Sequence, residues 1–123
     1  MTRMRNAEDL KKLVEEFAES VVAQTEAINR GDAKTGNKHA DRYIAALERL
    51  QTAGNAGRDA LAVLLQHPRP DVRVKAAAFL LRYRTAEAKA VLVEAASGGG
   101  VSAIGAVMTL KHWEEGTWNL DPE

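Results

Sequence analysis

Apolar side chains recur along this chain every three to four residues and almost never in strict alternation. In the first long segment Leu10, Leu13, Val14, Phe17, Val21, Thr25 and Ile28 fall on one stripe, with Glu15, Glu16, Glu19 and Glu26 mostly off it. Such spacing closes on one face of a 3.6-residue repeat, so it predicts an amphipathic helix over about residues 7–30. Asn6 stands where a cap is needed, and Glu8 and Asp9 suit the positive end of the helix dipole. Gly31-Asp32 combines a stop with a new cap. A second stripe of Ala33, Ala40, Tyr43, Ile44, Leu47 and Leu50 predicts a helix over about 33–52. The short connection makes it antiparallel to the first.

Gly54-Asn55-Ala56-Gly57 ends that helix, and Leu61, Leu64 and Leu65 give a third over about 57–66. Pro68-Arg69-Pro70 then interrupts, because proline lacks the amide donor and biases the residue before it away from helix. Asp71 follows as a cap carboxylate, opening a fourth helix over about 71–83. A fifth is expected over about 85–96 from Thr85. After the Ser97-Gly98-Gly99-Gly100 turn a sixth covers about 101–114, with Ala103, Ala106, Leu110 and Trp113 inward. Gly116 terminates it, and 115–123 form a tail in which Trp118 is expected to fold back and seal one end. The fold class is all-α: about six helices in three antiparallel pairs.

Two segments repeat. A shift of 28 sets Ala60, Leu64 and Leu65 on Ala88, Leu92 and Val93; a shift of 29 sets Val72, Ala77 and Leu81 on Val101, Ala106 and Leu110. The extra residue falls in the glycine turn, where insertion costs little. Paired helices recurring at about 29 residues make a solenoid unit whose apolar face needs a neighbour. The single domain is then organised as a capping hairpin at 7–52, a repeat unit at 57–83, a second at 85–114, and the tail.

Leu64-Leu65, Pro70-Asp71-Val72-Arg73, Ala76-Ala77 and Leu80-Leu81 resemble the HEAT-like repeat family, including its short variant in phycobilin-lyase-type proteins. The resemblance implies that Asp71 caps the second helix of a unit, Arg73 makes polar contacts between repeats, and Ala77 permits close helix packing. The second unit departs from it, with Ser102 in place of the arginine and Gly105 in place of an alanine. The run from Ala106 to Gly116 is similar to the end of a small bacterial HEAT-like family known only as a domain of unknown function.

Composition narrows the function classes. The 123 residues include no cysteine, so disulfides and thiolate metal sites are excluded. Met1 to Asp9 holds two arginines without a following apolar stretch, and no apolar run approaches a membrane span, so a cytoplasmic protein is expected. Seventeen basic residues balance seventeen acidic ones, which argues against a general nucleic-acid binder. The balance is uneven locally. Residues 66–90 carry Arg69, Arg73, Lys75, Arg82, Arg84 and Lys89 against Asp71 and Glu87, whereas 91–123 carry only Lys111 against Glu94, Glu114, Glu115, Asp121 and Glu123. A surface polarised in this way would orient a charged protein partner.

No reaction centre emerges. His39, His67 and His112 lack the spacing of metal ligands, and His67 suits a helix end, touching the last carbonyls. Asp41 and Glu48 share a face only loosely, and Ser20, Ser97 and Ser102 have no nucleophile elbow around them. No cofactor, metal or catalytic residue is therefore assigned. Arg69, Arg82 and Arg84 could form a recognition cluster, with Arg73 consumed in structure. Asn37, His39 and Arg42 on the second helix are a further set without an internal task. The expected function is a non-enzymatic protein-binding module. Some small HEAT-like relatives are thought to neutralise toxins, which makes an immunity protein the specific form implied by analogy. The alternatives are a nucleic-acid or nucleobase-acting domain, resembling the alkylpurine glycosylases of that superfold, and a structural homodimer.

Overall fold

The computed structural model describes residues 7–116. Asn6 and Trp118, with the roles expected of them, lie outside the described residues. Among those residues the chain forms six α-helices and no strand: α1 (Ala7–Asn29), α2 (Ala33–Thr52), α3 (Asn55–Ala62), α4 (Pro70–Leu80), α5 (Thr85–Ala96) and α6 (Gly100–Glu115). The all-α expectation is met. None of the described helices is long and apolar enough to cross a membrane. The chain divides into two compact units, Met1–Leu64 and Leu65–Glu123, and the boundary falls inside the segment 57–83.

The first unit contains α1, α2 and α3. Leu10, Leu13, Val14, Phe17 and Val21 are buried along α1, and Tyr43, Leu47 and Leu50 along α2. The Phe17 and Tyr43 rings meet edge-on with centroids 5.7 Å apart, the arrangement favoured by the aromatic quadrupole. Gly31 takes a left-handed φ of 80° and lets the chain reverse. Asp32 then caps α2, accepting the Thr35 amide at 3.1 Å.

Two side chains expected in this core are exposed, Ile28 and Ile44. At the end of α1 the small pair Ala27 and Gly36 governs the contact: a methyl on Gly36 would lie 3.3 Å from Ile28 Cγ1 and 3.8 Å from Ala27 Cβ. The helices approach through Ala27, which is fully buried, and Ile28 is left at the rim. On α2 the buried line runs Gly36, Tyr43, Leu47, Leu50, with Ala46 beside it, and Ile44 is turned about 100° from Tyr43. Ala33 is likewise exposed.

The third helix differs from its expected 57–66. It begins at Asn55, after Gly54, and its last turn tightens into a 3-10 turn at Val63–Gln66, a common way to finish a helix before a proline break.

The second unit contains α4, α5 and α6. Pro70 is the first residue of α4, where a missing amide costs nothing. Arg69 before it is extended, as a residue preceding proline must be. Asp71 therefore stands one position inside the helix rather than at its cap, yet its carboxylate accepts the Val72 amide at 2.9 Å. Ala76, Ala77, Leu80, Leu81, Ala88, Leu92 and Ala106 are fully buried. The alanines let helices approach closely here. Trp113, expected in the core, is only partly buried on α6.

Candidate functional site

Leu80 and Leu81, both fully buried, pin the corner between α4 and α5. The amides of Tyr83 and Arg84 both donate to the Leu80 carbonyl, at 3.0 and 2.8 Å. The Thr85 hydroxyl donates to the Leu81 carbonyl at 2.6 Å. This corner holds Arg82 and Tyr83 outward, with Tyr83 42% exposed. Arg84 at its far side reaches Glu87 at 3.1 Å, a surface pair that fixes the side chain while adding little stability. An exposed tyrosine between two arginines brings together the residue types that dominate protein interfaces. Tyr83 escaped notice in the sequence because it lies between helical stripes, although its flanking arginines were the signal that could have found it.

Arg69 does not join this corner. It sits at the start of α4, whose eleven residues span about 16 Å, while Arg82 and Arg84 lie past its end. There Arg69 makes two bonds to the Asp71 carboxylate, both 3.1 Å. The ring Nδ1 of His67 accepts the Arg69 amide at 3.0 Å. His67 is thus an acceptor for the incoming turn, and not the carbonyl-touching residue expected. Arg73 donates to the His67 carbonyl at 2.7 Å. The arginine implied to bridge repeats is used in this turn, inside one segment, and these bonds brace the entry to α4.

The second candidate set lies on α2. Arg42 Nη1 and His39 Nδ1 are 3.3 Å apart. Asn37 is exposed but stands about 200° around the helix from His39, on another stripe. The structure brings together His39 and Arg42 and leaves Asn37 apart. Beside them the exposed Lys38, Arg42 and Arg49 run parallel to the exposed Asp41 and Glu48, so the face alternates in sign. Among the described residues no three His, Asp or Glu side chains gather in a way that could hold a metal ion.

A family profile described as a domain of unknown function, DUF2019, matches residues 11–114. The chain belongs to that family. The matched span takes in all of α2 to α5 and nearly all of α1 and α6. A solved crystal structure, that of the protein RPA1889 from Rhodopseudomonas palustris, is similar to this DUF2019 chain with a TM-score of 0.83. The likeness covers 93% of each chain at 24% sequence identity, and it speaks for the fold. No curated protein matches the chain.

Proposed function

We propose that this DUF2019 chain is a non-enzymatic protein-binding module with a HEAT-like helical arrangement, acting through the corner between α4 and α5. The observation that carries the proposal is the rigid presentation of Arg82, Tyr83 and Arg84 above the buried Leu80 and Leu81. A tyrosine on a braced backbone offers a large contact area at low conformational cost, and an arginine at the surface can exchange a carboxylate such as Glu87 for one in the partner. The proline, aspartate, arginine and alanine pattern of α4 supports the HEAT-like assignment. An immunity protein is the specific form favoured here, since a toxin inhibitor needs only a stable surface complementary to its target. The nucleic-acid alternative has less behind it, because Asp41 and Glu48 interleave with the basic residues of α2.

The test is retention of one partner by the immobilised full chain from its own lysate, compared with Tyr83→Ala and Arg82→Ala variants. The wild type should retain a protein that Tyr83→Ala binds at least about tenfold more weakly, as expected for a buried hot spot. Equal retention by all three would remove the corner from the interface. For the immunity form, co-expression with a toxin encoded beside this gene should restore growth, and Tyr83→Ala should abolish the rescue.

A further inference from the structure

The sixth helix is apolar on both sides. Ala103, Ala106 and Thr109 are buried toward the unit's interior. On the opposite side Ile104, Val107 and Met108 are 65%, 49% and 46% exposed. They are spaced i, i+3, i+4 and so form one stripe. Farther along, the same outward side becomes charged through Lys111, Glu114 and Glu115, all exposed. A helix that is apolar all round is normally covered on both sides, and the end of a helical stack needs a polar outer face to stay single. This face is polar only in its last third.

The ends of α6 show what would cover it. Its N-terminus has no acidic residue in the first turn and no side-chain cap at Gly99. Its C-terminal turns carry Glu114 and Glu115, which lie at the negative end of the helix dipole, where acids are unfavourable. The N-terminal end thus has no acid beside it, and the C-terminal turns carry two carboxylates alongside His112.

We infer that α6 pairs antiparallel with α6 of a second copy of this chain through Ile104, Val107 and Met108. With the two-fold axis level with Ala106, Ile104 of each copy meets Met108 of the other. Gly105 lies level with Val107 of the second copy, and a methyl on Gly105 would touch nothing within 4 Å, so a notch is open there. The same register carries Glu114 and Glu115 about 3 and 4.5 Å of axial rise past Gly100, the first residue of the second copy's α6, and so beside its uncapped N-terminus. Two-fold symmetry supplies the apolar match and the charge match with one sequence. Methionine suits such a seam because its flexible thioether adapts to the facing surface. This pairing asks nothing of the Arg82–Tyr83–Arg84 corner and does not rest on the partner proposed for it.

Sedimentation velocity of the full chain, from low micromolar to a few hundred micromolar in low salt, tests the inference. The wild type should pass from monomer to dimer across that range. Ile104→Lys and Met108→Lys should remain monomeric with unchanged helical circular dichroism, since both positions are exposed. The Glu114→Gln, Glu115→Gln double variant should dimerise several-fold more weakly, and molar salt should erase that difference. A wild type that stays monomeric throughout, or an Ile104→Lys variant that still dimerises, overturns it. Deleting 117–123 separates another occupant: dimerisation only after the deletion would show that the tail covers this face, and would overturn the second-copy assignment.

Discussion

The backbone of Gly57 in α3 rests directly against the carbonyl group of Leu50 in α2. A methyl at Gly57 would lie 2.7 Å from the Leu50 carbonyl carbon and closer still to its oxygen. The obstacle is main chain inside a helix, which no rotamer change can move aside. Gly57→Ala should therefore destabilise the protein by about 3 kcal/mol or more, beyond ordinary overpacking. Gly105→Ala is the control. Nothing within the chain lies within 4 Å of its added methyl, and at concentrations where the chain is monomeric the gain in helix propensity should raise stability by about 0.5–1 kcal/mol. Urea denaturation of the two variants should give shifts of opposite sign.

Ser20 is 1% exposed on α1, and its hydroxyl has no hydrogen-bond partner. A buried donor left unsatisfied costs more than the hydroxyl returns by packing. Ser20→Ala should stabilise the chain by about 1 kcal/mol, read as a rise in the denaturation midpoint at unchanged slope. Ser20→Val would test the space around it, since overpacking should reverse the sign.

The helix ends were legible wherever a cap and a breaker coincide. Gly31-Asp32 ends α1 and starts α2, and Pro70 opens α4, because each position restricts the backbone locally. Gly57 misled for the opposite reason. A glycine next to Gly54 reads as punctuation, but its purpose is a contact with Leu50, which no local pattern encodes. Hydrophobicity ranks Ile28 above Ala27 and Gly36, whereas close helix approach rewards the smaller pair; Ile44 yields its inward place to the line of Tyr43, Ala46, Leu47 and Leu50. The arginines of 66–90 are near in sequence, and only the length of α4 separates Arg69 from Arg82 and Arg84. Tyr83 gains its outward position from the bonds at Leu80 and Leu81, which depend on how α4 ends.

Arg73 ties α4 back to the turn before it through the His67 carbonyl. This carbonyl follows the 3-10 turn, and the prolines after it offer no amide donors. Arg73→Ala should cost about 1.5–3 kcal/mol, the range for a hydrogen bond from a charged group. Arg69→Ala should cost less, about 1 kcal/mol at most, because its bond to Asp71 is partly exposed. Double-mutant cycles should show Arg73 and Arg69 to be nearly additive if each braces the turn independently. A large coupling would mean that the turn yields as one unit.

Asp32 links the fold to pH. Its carboxylate is held below the ordinary aspartate range chiefly by hydrogen bonds from the Thr35 side chain and backbone; desolvation opposes them, and the charges of Arg30 and Lys38 add smaller downward effects. A carboxylate with a lowered folded pKa contributes stability that is fully present above its unfolded value, about 3.9. That contribution is lost as pH falls through the folded value. The wild type should therefore lose part of its stability on acidification below about pH 4, and Asp32→Asn should lose less over the same window. The asparagine can still accept the Thr35 amide but carries no titrating charge. At neutral pH Asp32→Ala should be the least stable of the three, by an amount small beside that of Gly57→Ala. Thermal melts across pH 3–7 check both orders. If Asp32→Asn follows the wild type throughout the acid limb, the cap's titration is not what weakens α2.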